Sequence, residues 1–146
     1  MSWIIENVFF RFLMICRKDQ CRRSYVRALA QQGVFMESFR LEEMVKGWFI
    51  GDFEPAVRTS TDFEVAVKHY VAGETEEEHY HAVATEVTVV VSGSVEMGGA
   101  VHSAGAILVM EPGEPTAFRA VTDAITAVVK YPSVRGDKYL VADADG

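Results

Sequence analysis

The sequence predicts an all-β protein, a sandwich or barrel built from many short strands. From Met36 onward, short runs rich in Val, Ile, Thr and Tyr alternate with turns rich in Gly, Pro and acidic residues. No convincing helical pattern follows Met44. Many short strands without helices are typical of β-sandwiches and β-barrels.

Four segments have strand length and composition, and one hairpin turn is evident between two further short strands. Gly98 and Gly99 separate two short runs, and both central positions of a type I′ turn need positive φ, which glycine adopts at no cost. A second turn is predicted at Pro112-Gly113-Glu114-Pro115. The predicted strands are 64–71, 86–92, 106–110 and 124–130.

The charge distribution divides the chain into an extension, 1–35, and a domain, 36–146. The extension carries six Lys and Arg against two acidic residues, whereas the rest carries eight basic and nineteen acidic residues. Residues 1–31 contain no Gly or Pro, so a helical extension is permitted. Three hypotheses are open for it: an amphipathic arm, a weak membrane-surface anchor, or a segment upstream of a native start at Met36. We favour the third.

Composition also limits the partners and the location. A net charge of −7 disfavours nucleic acid, which requires a positive field. The apolar stretch 3–15 is short, is interrupted by charge and precedes its basic cluster, so we predict neither a membrane span nor a secretory signal. Cys16 and Cys21 are the only cysteines, too few for a disulfide framework, which favours the cytoplasm.

The segment 73–93 contains a pattern of metal-binding residue types. Side chains two apart on a strand share one face, so His79 and His81 present two imidazoles to the same side. A short connection then delivers Glu86 at the start of the next strand. Two imidazoles and one carboxylate suit Fe(II), Zn(II) or Mn(II).

This pattern resembles the cupin superfamily. Gly73-x5-His79-x-His81-x4-Glu86-x6-Gly93 matches the first cupin motif in full, and Gly105 with 112–119 is similar to the second. The resemblance covers about residues 45–132. It implies a double-stranded β-helix, or jelly-roll barrel, with a divalent metal (Fe, Mn, Zn or Ni) inside one end, held by His79, His81 and Glu86. Cupins include dioxygenases, isomerases, decarboxylases and non-enzymatic binders, so the family indicates the fold far more than the reaction.

One position departs from the family pattern. The second motif normally supplies a further histidine ligand, and Thr116 stands there in this sequence. Threonine is a poor metal ligand, so the resemblance implies either a three-ligand site with an extra open position or a degenerate site.

Strand parity extends the predicted cavity lining. If Thr116 faces the interior then Phe118 does too, and Thr88 lies on the same face as Glu86. Lys68, His69 and Tyr70 are further candidates, depending on register. The outward residues of the same strand are Val87, Val89 and Val91. Such an apolar face is expected to be buried against another surface, which a second copy of the chain in a homodimer would supply. The acidic run 74–78 is interpreted as a solvated turn.

Two functions are therefore predicted from the sequence, with a third less favoured. The first is a metal-dependent enzyme acting on a small organic substrate. The second is a non-catalytic module that binds a small molecule such as a sugar or an acid, with a structural or degenerate metal site. The third is a structural homodimer with a vestigial site.

Overall fold

A computed structural model describes residues 36–141 of the 146-residue chain. The predicted extension 1–35 lies outside the described residues. Two short 3₁₀ turns, Leu41–Glu43 and Val45–Gly47, precede ten strands. The strands are β1 (Trp48–Ile50), β2 (Glu64–Tyr70), β3 (Thr75–Tyr80), β4 (Thr85–Ser92), β5 (Ser94–Met97), β6 (Ala100–Ser103), β7 (Ile107–Met110), β8 (Thr116–Ala120), β9 (Ala124–Tyr131) and β10 (Tyr139–Leu140).

The strands form two five-stranded antiparallel sheets. Sheet I has the order β1-β2-β9-β4-β7 and sheet II the order β10-β3-β8-β5-β6. Consecutive strands β2, β3 and β4 alternate between the sheets, so the histidine segment and the strand that carries Glu86 belong to opposite layers. The four predicted strands agree with β2, β4, β7 and β9 to within one residue at each end.

The hairpin between β5 and β6 turns at the predicted glycine pair. Gly98 and Gly99 have φ of 57° and 76°, which side-chain-bearing residues rarely adopt. The pairing of Met97 with Ala100 closes the hairpin directly across this two-residue loop.

The hydrophobic core lies between the sheets, because inward side chains alternate with outward ones along each strand. Val90 and Val95 are fully buried, from sheet I and sheet II respectively. The buried cluster comprises Val90, Val95, Met97, Phe118, Ala120 and Ala124. This cluster fills one part of the interior, and a cavity lined by both charged and apolar side chains lies beside it.

Candidate active site

A cavity of about 290 Å³ lies between the sheets and contains the residues of the predicted metal site. His79, His81 and Glu86 all line it. The lining is unusually rich in charge for a barrel interior, with four lysines and four glutamates. The lysines are Lys46, Lys68, Lys130 and Lys138, and the glutamates are Glu54, Glu64, Glu76 and Glu86.

Hydrogen bonds to backbone carbonyls orient both imidazoles. Nδ1 of His79 lies 2.8 Å from the carbonyl oxygen of Glu77, and Nδ1 of His81 contacts the carbonyl oxygen of Asp137. A carbonyl only accepts, so each ring carries a proton on Nδ1 and donates it. Burial lowers the pKa of His79, which keeps that ring neutral. In a neutral ring of this tautomer, Nε2 offers a lone pair, as a metal ligand must.

Glu86 faces the free nitrogen of His81. Its Oε2 lies 3.2 Å from His81 Nε2, and its Oε1 accepts a hydrogen bond from the Thr88 hydroxyl, also at 3.2 Å. Burial alone would raise the pKa of Glu86, but the contact with His81 and the charge of Lys68 outweigh it and lower the pKa. Glu86 is therefore an ionised carboxylate.

The contact between His81 and Glu86 requires a positive charge. With the ring proton on Nδ1, Nε2 and the carboxylate oxygen are both acceptors and repel each other. Either a second proton on the ring or a cation between the two groups removes this repulsion. The donor set therefore fits a divalent cation in its chemistry. Within residues 36–141, however, no group of three His, Cys, Asp or Glu side chains is already arranged to hold a metal ion, so binding requires side-chain adjustment.

Comparisons with known proteins identify the fold. Solved structures match the chain over much of its length, although no protein-family model and no curated protein does. A double-stranded β-helix protein from Klebsiella pneumoniae is 23% identical with a TM-score of 0.56, and the match covers 75% of this chain and all of that one. The chain has the cupin fold. This confirms the double-stranded β-helix predicted from the sequence.

Two further structures of known proteins share the cupin fold. The bacterial pirin YhhW from Escherichia coli, solved in complex with nickel(II), is 18% identical with a TM-score of 0.53, covering 62% of this chain and 41% of that one. The DMSP lyase DddQ from Ruegeria pomeroyi is 20% identical with a TM-score of 0.53, covering 66% and 51% respectively. Among the described residues of this chain, no helix is long and apolar enough to cross a membrane.

Five of the six predicted lining candidates lie around the cavity of the cupin barrel. Thr88, Tyr70 and Lys68 line it from sheet I, and Thr116 and Phe118 line it from sheet II. Thr116 pairs directly with His79 across β3 and β8, so its hydroxyl lies beside the first histidine.

The prediction for His69, the sixth candidate, is corrected. His69 is exposed on the outer face of β2, between two inward-facing neighbours, and it borders an open groove instead of the cavity. The physical reason is the strand period of two, which allows Lys68 and Tyr70 inside only if His69 is outside.

Asp137 is a site residue that the sequence did not reveal. It is 3% exposed, and its carboxylate accepts hydrogen bonds from the backbone N–H groups of Ala82, Val83 and Ala84 at 2.8 to 3.3 Å. Its own carbonyl oxygen accepts the Nδ1 proton of His81. Asp137 therefore positions both the turn between the two ligand segments and one of the imidazoles. It follows Glu86 by fifty-one positions, so no local spacing signals this role.

Glu76 corrects the interpretation of the acidic run as a solvated turn. Residues 75–80 form β3, and the Glu76 side chain is 24% exposed and lines the cavity. Burial alone would raise its pKa, but the ammonium of Lys68 and the hydrogen bonds that it and Tyr70 donate hold the pKa of Glu76 well below the usual carboxyl range. Burial and the charge of Glu76 raise the pKa of Tyr70, so that phenol stays protonated. The other acidic side chains of the run are exposed, as predicted.

A second buried ion pair lies elsewhere in the cavity lining. Lys130 Nζ is 2.9 Å from Glu64 Oε2, and both side chains are 9% exposed. The hydroxyl of Ser133 donates to the other oxygen of Glu64 at 2.9 Å. The ammonium groups of Lys130 and Lys68 both lie 5.5 Å from the centroid of the Trp48 ring, within cation–π distance. Strand parity could have predicted that Glu64 faces the cavity, because residues an even number of positions apart on one strand share a face and Glu64 is four residues before Lys68 on β2.

Proposed function

We propose that this cupin binds a divalent metal ion through His79, His81 and Glu86 and acts as a metal-dependent enzyme on a small organic molecule in the cavity. The observation that carries the proposal is the contact between His81 Nε2 and the ionised Glu86 carboxylate, two groups that need a cation between them when the ring is neutral. The pirin YhhW, which shares only the fold, was solved with nickel(II). Its likeness therefore supports a metal within this fold.

A divalent ion bound to two imidazoles and a carboxylate supplies Lewis acidity or oxygen activation to a substrate beside it. The protein's own contribution is to keep the donors fixed and to shape the cavity. The backbone carbonyls of Glu77 and Asp137 set the ring tautomers, and the Thr88 hydroxyl fixes one oxygen of Glu86. The Thr116 hydroxyl donates to the carbonyl oxygen of Ala117 at 3.4 Å, which leaves its oxygen to accept a hydrogen bond from a water or a ligand.

Metal analysis of full-length protein tests this proposal. Wild type is expected to carry up to one equivalent of Fe, Mn, Zn or Ni, and the double variant His79→Ala, His81→Ala should lose it. The matched control is the double variant His69→Ala, His102→Ala, which removes the chain's other two histidines and should keep the metal. Metal-free wild type that takes up none of these ions on reconstitution, or equal metal in both double variants, contradicts the proposal.

A non-catalytic binding module is the second candidate, and one observation favours it. General acid–base catalysis works best with a group whose pKa lies near neutrality. In the cavity, Tyr70 has a raised pKa and Glu76 a lowered one, and the two are hydrogen-bonded to each other at 2.7 Å. Turnover of small substrates by the metal-loaded protein, with oxygen uptake followed after anaerobic Fe(II) loading, separates the enzyme from the binding module.

We further propose that the protein is a homodimer that pairs through the outer face of sheet I. Outward positions on this face are mostly apolar on four adjacent strands, with His69, Thr85 and Ser92 as polar exceptions. Four strands at about 4.8 Å and about seven residues at about 3.3 Å give a face of roughly 19 by 23 Å. Two such faces would bury on the order of 900 Å², the size of a weak or transient interface. The apolar residues are Val65, Val67, Val87, Val89, Val91, Ile107, Val109, Ile125, Ala127, Val129 and Tyr131.

Sedimentation of a charged variant tests the dimer. Ile107 is 66% exposed on edge strand β7, so Ile107→Lys should leave the fold intact and convert a dimer to a monomer. The control is Val101→Lys on sheet II, where the side chain is 61% exposed, and this variant should remain dimeric. A monomeric wild type would refute the proposal.

The location and the nature of the ligand complete the proposal. We propose a cytoplasmic protein with a small-molecule ligand and no nucleic-acid partner. A chain with two cysteines and a net charge of −7 supports both statements, because it contains no disulfide framework and repels polyphosphates on average.

A further inference from the structure

Around Glu76, positively charged side chains outnumber negatively charged ones. Its Oε1 accepts hydrogen bonds from Lys68 Nζ at 2.9 Å and Tyr70 OH at 2.7 Å, and its Oε2 accepts from Lys138 Nζ at 3.1 Å. Two ammonium groups thus share one carboxylate. The Lys130–Glu64 pair is balanced, one charge against one.

The two lysines at Glu76 retain unused hydrogen-bond donors. An ammonium group has three N–H donors, and Glu76 takes one from Lys68 and one from Lys138. The Lys68 side chain is only 15% exposed, so water satisfies its remaining donors poorly, whereas Lys138 is 45% exposed and stands nearer the solvent. An anionic ligand entering the cavity can therefore accept hydrogen bonds from both.

The charge of the complete lining favours the same ligand. The four lysines and four glutamates balance, so a divalent ion held at His79, His81 and Glu86 leaves a surplus of two positive charges. Electrostatic complementarity then favours an anion over a neutral molecule of the same shape.

The apolar part of the lining accommodates a short carbon skeleton. Phe118 is 6% exposed and packs on Tyr70 with ring centroids 4.2 Å apart, and Met97 lines the cavity beside it. A volume of about 290 Å³ is at the small end of ligand pockets.

We propose that the ligand of this cavity is a small aliphatic carboxylate whose carboxylate group binds Lys68 and Lys138, in place of or beside Glu76. The inference rests on the proposed function in taking the cavity as the ligand site and, for the surplus charge, in placing a metal there; the lysine pair itself is present without a metal. Glu76 is then a competitor that holds the two ammonium groups in position until the ligand arrives.

Calorimetric titration of full-length protein with succinate and with succinamide, its uncharged analogue, tests the inference. Succinate is expected to bind at least ten-fold more tightly than succinamide, and more tightly to zinc-loaded than to metal-free protein. Lys138→Gln should weaken succinate binding about three- to ten-fold, the loss expected for a partly exposed charged hydrogen bond. Arg119→Gln is the control, because it removes one positive charge from a side chain that pairs with Glu96 outside the cavity, and it should change succinate affinity less than two-fold.

Glu76→Gln gives a result that a purely structural role would not produce. Removing the competing charge releases both ammonium groups, so succinate should bind about three-fold or more tightly to this variant, although the variant itself is less stable. Weaker succinate binding in Glu76→Gln, equal losses in Lys138→Gln and Arg119→Gln, or no preference for succinate over succinamide would each overturn the inference.

The same titrations separate this inference from the metal proposal. If the protein takes up metal but binds succinamide and succinate with equal affinity, the proposed function stands and the inference fails. If it takes up no metal but still binds succinate more tightly, with the expected response to Lys138→Gln, the inference stands and the metal-centred function fails.

Discussion

Asp137 holds the turn between the two predicted ligand segments, and replacing it with asparagine tests how far the site depends on this one side chain. The carboxylate accepts hydrogen bonds from three consecutive backbone N–H groups, those of residues 82 to 84, and it is 3% exposed. Asparagine offers one oxygen and turns an NH2 group towards the remaining donors. At least one of the three N–H groups then loses its carboxylate acceptor.

The expected loss follows from the number and kind of these bonds. A hydrogen bond to a charged group contributes about 1.5 to 3 kcal/mol, and neighbouring bonds to one carboxylate are not additive. We therefore expect Asp137→Asn to lower the free energy of unfolding by about 2 to 4 kcal/mol. In urea, with a slope of about 2 kcal/mol per M, the unfolding midpoint should fall by roughly 1 to 2 M.

Urea unfolding followed by circular dichroism measures this loss, with Asp123→Asn as the matched control. Asp123 also accepts a backbone hydrogen bond, from Ala72 at 2.8 Å, but it is exposed, so its substitution should cost less than about 1 kcal/mol. The backbone carbonyl of residue 137 that orients His81 is kept in this variant, but the side chain that fixes the segment is weakened, so metal affinity should fall by up to about ten-fold. Equal unfolding midpoints for the two variants would refute this assignment of the role of Asp137.

Three further predictions concern pH, packing and the fourth corner of the site. Because the pKa of Glu76 is lowered in the folded protein, its ionised carboxylate stabilises the fold fully above the ordinary carboxyl pKa of about 4.3, and this stabilisation is lost as the pH falls towards the folded-state pKa. Between pH 6 and pH 3, the free energy of unfolding of wild type should therefore fall by about 1 to 2 kcal/mol more than that of Glu76→Gln. Val95 is fully buried, so Val95→Ala should lower the free energy of unfolding in urea by about 2 to 3 kcal/mol, whereas Val101→Ala, at a residue that is 61% exposed, should lower it by less than about 0.5 kcal/mol. Equal losses in the two variants would contradict the assigned core. Thr116→His adds an imidazole beside His79 and should raise metal affinity at least ten-fold in a competition titration, and an unchanged affinity would indicate that this position does not face the ion.

Local signals in the sequence were sufficient to predict most of the fold. The β-branched runs gave four strands, and Gly98-Gly99 gave the hairpin, because strand composition and turn conformation depend on neighbouring residues. Strand parity also predicted that Thr116 and Phe118 share the interior, and the structure places both around the cavity.

Features that depend on distant pairing could not be predicted in this way. The register between β3 and β8 shifts between Glu76 and His79, so the period of two does not extend from the histidines back to Glu76. Asp137 reaches its partners only because the segment after β9 folds back on the histidine segment. No spacing within 73–93 contains that information.

The alternation of strands between layers makes the candidate site a connection between the two sheets. His81 follows β3 of sheet II and Glu86 lies on β4 of sheet I, so any ion that joins them links the two layers, which the ion pair between Lys68 and Glu76 already joins elsewhere in the cavity. Such an ion acts as a removable crosslink. Its binding should slow hydrogen exchange in both sheets together, and its removal should speed exchange in β3 and β4 most, because these strands lead into and carry the ligands.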